Sequence, residues 1–151
     1  MTPIFGMNEA EIIFAERMRK ICKEVNLAEK EQDMFEHWDV CCDGTKYDVK
    51  AQKKLNRKDE NVSDVIWIEL TNVRGEPGWI KGKADKIAFQ FEDKFKIIDR
   101  QKLFEFIVNF VPSTDIYRVK GYKQWYRRRG RKDTVTFIYP EDVEHLVEML
   151  L

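Results

Sequence analysis

Thiol and imidazole groups are scarce in this chain: three cysteines (Cys22, Cys41 and Cys42) and two histidines (His37 and His145) are all it carries. An odd number of cysteines, two of them adjacent, implies no disulfide framework, and the expectation is free thiols in a reducing compartment. With no CxxC pair and no histidine cluster there is no signal for zinc. Both histidines read as structural, with contact to the site described below as the alternative for His37. Net charge is missing as well, since Lys+Arg and Asp+Glu number 27 each. A polyanionic partner must therefore be met by local clusters rather than by overall charge. No apolar run approaches the ~18 residues needed to span a bilayer, and nothing resembles a signal peptide. The expectation is a soluble, cytoplasmic protein with no membrane partner. Repeats, linkers and low-complexity tracts are absent too. With 151 residues, 43% of them hydrophobic and 13% aromatic, the chain has enough apolar surface for a real core, and one domain over 1–151 is expected.

What is present is a short group of charges on strands. His37 to Cys42 reads as a strand, Asp43-Gly44 as a tight hairpin turn, and Thr45 to Lys53 as the returning strand. Side chains alternate along a strand, so Asp48 and Lys50 share one face while Tyr47, Val49 and Ala51 turn to the apolar side. Asp39 lies nine positions before Asp48. Across a short hairpin of suitable register, that spacing brings the two carboxylates within reach of one hard divalent cation. Lys50 then sits where an ammonium can orient or help deprotonate a water and stabilise charge growing on a phosphate.

Asp39 followed by Asp48-Val49-Lys50 resembles the PD-(D/E)xK nuclease superfamily. Asp stands in place of the commoner Glu in the second half, and His37-Trp38 stands where some members carry a proline. The resemblance covers mainly Met7 to about Phe110. It implies a restriction-endonuclease-like core and a Mg²⁺- or Mn²⁺-dependent endodeoxyribonuclease acting on DNA. Asp39 and Asp48 would hold the metal, the Val49 carbonyl would complete the shell, and Lys50 would serve the attacking water. Members often add a glutamate from the first helix, and Glu11 is the candidate here. It falls on the apolar stripe of that helix beside Phe14 and Met18, with a solvent-reaching margin position as the alternative. The absence of a separate specificity module points to a structure-selective or phage-type nuclease resembling a Holliday-junction resolvase. The bland alternative for Asp48 and Lys50 is an exposed charged strand face. Glu92-Asp93-Lys94 also fits acid-x-Lys, but it opens a polar turn with no second acid on a neighbouring hairpin strand. Glu69 reads as a rim carboxylate rather than a further ligand.

Periodicity places a first helix from Asn8 to about Asn26, with Met7, Phe14, Met18, Ile21 and Val25 on one stripe. A polar connector follows at Ala28 to Asp33, an exposed loop at Leu55 to Ser63, and a strand at Val65 to Leu70 with Trp67 and Glu69 on one face. Strands at Ala84 to Phe91 and Lys94 to Ile98 precede a helix that Pro112 ends. Tyr117 to Tyr126 is extended, Thr134 to Tyr139 returns, and Pro140 opens a terminal helix. The order argues an α/β class, with α+β as the alternative: a mixed central sheet flanked by helices, then a C-terminal strand pair and helix.

Two basic segments are candidates for nucleic-acid contact. Arg74 to Lys83 is a glycine-containing loop with Trp79 at its centre and Lys81 and Lys83 at its end, suited to a phosphodiester backbone or, alternatively, to a turn whose Trp79 packs inward. Arg127, Arg128, Arg129, Arg131 and Lys132 are five cations in six positions beside Trp125 and Tyr126. Such a tip fits phosphates and unpaired bases, and as a solvated hairpin end it should contribute little to folding. No helical base-reading code is visible. Two rivals remain beside the nuclease: a nucleic-acid-binding protein without turnover, and a protein-interaction or inhibitor module. The sequence leaves a homodimer open.

Overall fold

The computed structural model describes residues 7–55, 64–112 and 115–151. In chain order its elements begin with α1 (Glu9–Ile21), β1 (Val25–Leu27), α2 (Lys30–Glu36), β2 (Val40–Cys42), β3 (Thr45–Lys50), β4 (Lys53–Lys54) and β5 (Asp64–Thr71). A 3-10 turn at Trp79–Lys81 leads to β6 (Lys86–Phe91), β7 (Lys94–Asp99), α3 (Arg100–Phe110) and β8 (Thr134–Ile138). A second 3-10 helix, Pro140–Leu146, precedes β9 (Val147–Leu150). The class is α/β with a mixed sheet. The described residues fall into two compact units, one from Met1–Ala51, Lys83–Arg100 and Val147–Leu151, the other from Gln52–Gly82 and Gln101–Leu146. The loop expected at Leu55 to Ser63 lies almost wholly outside the described residues.

The first unit is built on a six-stranded sheet in the order β1-β2-β3-β6-β7-β9. Its β3–β6 pair is parallel and the other pairs are antiparallel. The hairpin that opens it is fixed by its turn. Asp43 and Gly44 both take positive φ, 48° and 89°, the pattern that matches the twist of a two-residue hairpin and that Asp-Gly accepts at little cost. Cys42 pairs with Thr45 and Val40 with Tyr47. Tyr47 and Val49 enter a core with Ala10, Phe14 and Met18 of α1. The Phe14 ring lies 5.2 Å from the rings of both Tyr47 and Phe95, and truncating so buried a ring costs about 3–5 kcal/mol. Asp48 and Lys50 are left on the opposite face of β3 by strand alternation.

Several local expectations are corrected. The first helix stops at Ile21 rather than running to Asn26, and Val25 is in β1. The Asp43 carboxylate accepts the main-chain N–H groups of Lys23 and Glu24, at 3.1 and 2.8 Å, which draws the chain out of the helix. Ile21 is consequently 60% exposed, and Ala10, Phe14, Ala15 and Met18 form the buried stripe. The connector read at Ala28 to Asp33 turns into α2, started by a Glu29–Gln32 capping box and ended by His37 in the left-handed conformation. The strand therefore begins at Val40, not His37. Cys22 and Cys42 are joined by a disulfide with Cα atoms 6.1 Å apart, and Cys41 alone is free. The cap position of Cys22 over the end of β2 makes the pairing, a proximity that cysteine spacing does not reveal. The terminal helix is instead a 3-10 segment followed by β9, which pairs with β7.

The second unit carries an antiparallel sheet in the order β4-β5-β8. Trp67 of β5 packs edge-on to Phe137, with ring centroids 5.3 Å apart. Within α3, Leu103 and Ile107 are buried. The Phe106 ring meets His145 edge-on at 4.9 Å, in keeping with a structural histidine. No helix among the described residues is long and apolar enough to cross a membrane.

Candidate active site

Asp39 stands one residue before β2, and its N–H donates to the Tyr47 carbonyl at 2.8 Å. The antiparallel ladder ends at the Val40–Tyr47 pair, and the bond to the Tyr47 carbonyl keeps Asp39 beside β3 just beyond it. The two-residue turn thus decides the pairing: any other loop length would move one carboxylate to a different partner or the other face. Both acids are buried, Asp48 at 3% exposure and Asp39 at 8%. Asp39 Oδ2 accepts the Val49 N–H at 2.7 Å, and Asp39 also hydrogen-bonds to Asp48. Lys50 Nζ lies 3.2 Å from Asp48 Oδ2, with its side chain 30% exposed. That oxygen is nevertheless buried without a hydrogen bond. The Lys50 ammonium offsets part of the burial cost of the Asp48 charge.

The electrostatics follow from crowding three acids where water is scarce. Burial, then the Asp48 and Glu11 charges, raise the pKa of Asp39 far above the usual carboxylate range, with the Val49 N–H pulling the other way. Burial raises Asp48 as well, while Lys50, the hydrogen bond from Asp39 and the His37 charge oppose it. Two such acids in contact hold a proton between them at neutral pH, because two bare carboxylates cannot share one buried site. Glu11 on α1 is half-buried and pushed up to about 7, first by burial and then by Asp33 and Asp48. Its N–H is held by the Asn8 side chain at 2.9 Å, which fixes the start of α1.

Of the residues singled out in the sequence, Asp39, Asp48, Val49, Lys50 and Glu11 are thus brought into one electrostatic neighbourhood. Val49 gives its N–H to Asp39. Glu11 stands off: among the described residues, Glu11, Asp39 and Asp48 do not all bring an oxygen within 4.8 Å of one another, whereas Cys22, Cys42 and Asp43 do bring their ligand atoms that close. The latter trio is a poor cation site, since its sulfurs are bonded to each other and Asp43 is committed to two N–H groups. The residue missed in the sequence is Asp33, one turn before His37 on α2, whose charge raises both Glu11 and Asp39. The Glu29-x-x-Gln32 box was the available signal for the helix that presents it. Glu92 and Asp93 form the β6–β7 turn and are exposed, as expected of a solvated turn.

A hard cation fits the donor set at Asp39 and Asp48. The pair offers oxygen atoms only, carries one orphaned buried oxygen, Asp48 Oδ2, and has mutual repulsion that a divalent charge offsets as a proton does.

The basic segments are placed as follows. Trp79 and Ile80 are buried and Lys81 and Lys83 are exposed. A Cβ on Gly78 would run into the Glu69 carbonyl, so that glycine serves a close approach to β5 rather than to a phosphate. At the tip, Arg127, Arg128, Arg129, Arg131 and Lys132 are exposed, yet Arg128 is not a bare surface charge. Its Nε and Nη2 both contact Asp133 Oδ2 at 2.5 Å, and Asp133 is fully buried. Arg127 Nε donates to the Asp133 carbonyl at 3.1 Å. The expectation that the whole tip contributes little to folding is corrected for Arg128, because a buried carboxylate depends on it. No protein-family model, curated protein or solved structure matches the chain.

Proposed function

We propose that the protein is a divalent-metal-dependent nuclease, related to the PD-(D/E)xK superfamily, that hydrolyses DNA phosphodiester bonds. The observation that carries this reading is the buried Asp39–Asp48 pair with an orphaned oxygen and Lys50 Nζ 3.2 Å away. Asp39 and Asp48 would hold Mg²⁺ or Mn²⁺, with the Val49 carbonyl and Glu11 as further candidate ligands, and the ion would supply Lewis-acid charge beside the scissile phosphate. The chain's own groups do the rest. Asp39 and Asp48 give up their shared proton on loading. Lys50, partly exposed, orients the attacking water and faces the charge that grows on the phosphate oxygens. The Val49 N–H locks the Asp39 rotamer. Arg129, Arg131 and Lys132 are the phosphate contacts we assign at the tip, together with Lys81 and Lys83. A cytoplasmic location goes with such a substrate, although the Cys22–Cys42 pair removes the cysteine-based support for a reducing home.

The test is cleavage of supercoiled, single-stranded and branched DNA by wild type and Asp48→Asn, with Mg²⁺, with Mn²⁺ and in excess EDTA. Metal-dependent products from wild type alone are expected. Equal cleavage by Asp48→Asn, or cleavage surviving complete chelation, overturns the proposal, and salt-sensitive binding without cleavage selects a binding protein instead.

A further inference from the structure

The second unit holds a cavity of about 570 Å³ that the hydrolytic chemistry does not use. Trp67, Trp79 and Tyr126 form its aromatic walls, and Glu69, Gln52 and Arg128 supply its polar groups. The walls are built rather than incidental. Trp67 and Glu69 are two apart on β5 and share a face, and the Tyr126 ring sits 6.2 Å from that of Trp67, tilted by 59°. Trp79 is brought in by the close approach of Gly78, whose N–H donates to the Leu70 carbonyl at 2.9 Å. The polar groups are equally fixed. Gln52 Nε2 donates to Asp64 at 2.7 Å, and Arg128 is clamped by fully buried Asp133. Preorganised walls and donors lower the ordering cost of a ligand, and the volume suits one of roughly nucleotide size.

We propose that this cavity receives an unpaired nucleobase, stacked on the aromatic walls, with its edge toward Glu69 and Gln52 and its phosphate at Arg128. An apolar ligand would place no complementary polar group against the carboxylate, amide and guanidinium of the lining. A bare phosphate would leave three aromatic walls unused. A base with its phosphate satisfies both halves, because every base has a π face, a polar edge and an anion attached. The ligand class rests on the nucleic-acid reading of the chain, not on hydrolysis, and it makes exposed single strands the favoured substrate.

Binding is measured on the full chain carrying Asp48→Asn, so that turnover does not interfere, by tryptophan fluorescence and by anisotropy of a labelled strand. The probes are a roughly 12-nucleotide single strand, the matching blunt duplex, and a free deoxynucleoside monophosphate. The single strand is expected to bind on the order of 10-fold or more tighter than the duplex, and adding Trp67→Ala is expected to lose on the order of 10-fold of that affinity. Glu69→Gln, which keeps shape and stacking, is expected to change the preference among bases, and it serves if Trp67→Ala does not fold. Saturation by the monophosphate at strand-like affinity identifies a free nucleotide as the source of the base and still supports the cavity. Unchanged strand affinity in Trp67→Ala, or in Glu69→Gln with unchanged base preference, overturns it. Cleavage by wild type alongside such unchanged affinity leaves the nuclease reading standing, and Trp67-dependent binding without cleavage does the reverse.

Discussion

Lys50 Nζ lies 3.2 Å from Asp48 Oδ2, yet that oxygen accepts no hydrogen bond. The ammonium and the carboxylate form an ion pair on one face of β3. Single substitutions separate the roles of the two neighbours. Lys50→Ala is expected to lower kcat by on the order of 100-fold or more, with metal affinity nearly unchanged. Asp48→Asn is expected to lose both turnover and metal binding. Calorimetric titration with Mn²⁺ beside single-turnover cleavage checks the split, and wild-type rates in Lys50→Ala would remove the lysine from the mechanism.

Asp39→Asn is expected to keep the fold and to raise its melting temperature without metal at neutral pH. An amide copies the protonated acid: its oxygen can take the Val49 N–H and its NH₂ can donate to Asp48, and folding at neutral pH no longer requires proton uptake at this position. Removing that proton uptake is worth about 1–3 kcal/mol, or roughly 2–4 °C per kcal/mol for a chain of this size. The same variant should not bind Mn²⁺. Thermal melts with and without metal decide this, and a large loss of stability would mean that Asp39 is ionised in the folded protein.

Without metal, stability should fall as pH rises through the acid range and toward neutrality. A carboxyl whose folded pKa exceeds its unfolded value favours the fold fully below the unfolded value, and this contribution is lost as pH climbs to the folded one. For Glu11 that window runs from the usual 4.5 to about 7, and the raised Asp39 and Asp48 extend it in the same direction. Excess Mg²⁺ should flatten the profile by taking the place of the proton. Melting temperature against pH, with and without Mg²⁺, gives the answer. A curve without metal that rises between pH 5 and about 7 would contradict the crowded-acid description.

Much of the proposed centre was legible because short-range rules govern it. Asp43-Gly44 dictates a two-residue turn, the turn dictates the register, and the register pairs Val40 with Tyr47, leaving Asp39 beside β3 while Tyr47 and Val49 go to the core. What escaped the sequence depends on distant partners. The end of α1 is decided by Asp43, some twenty positions away in the chain. The Cys22–Cys42 pair needs α1 and β2 to be adjacent, and β9 is a strand because β7 offers it an edge. Helical and extended readings of a short apolar run such as Val147–Leu150 cannot be told apart by period alone. The difference between Arg128 and its neighbours was hidden for the same reason, since burial of Asp133 is a tertiary fact.

That difference supplies the last prediction. Arg128→Gln leaves Asp133, fully buried, without its guanidinium partner, and breaking such a pair costs about 3–5 kcal/mol when fully desolvated. Arg128 itself is 41% exposed, so solvent screening reduces this, and a loss of about 1–3 kcal/mol is expected. Arg129→Gln and Arg131→Gln should instead melt with the wild type and act only on DNA. Each should weaken binding to all sequences alike and flatten the log-log salt dependence by roughly 0.9 for every duplex phosphate no longer neutralised. Denaturation curves and affinities at several salt concentrations separate the two kinds of arginine. An unchanged slope in the Arg129 and Arg131 variants would take the phosphate-binding role away from the tip, and wild-type stability in Arg128→Gln would show that Asp133 has another partner.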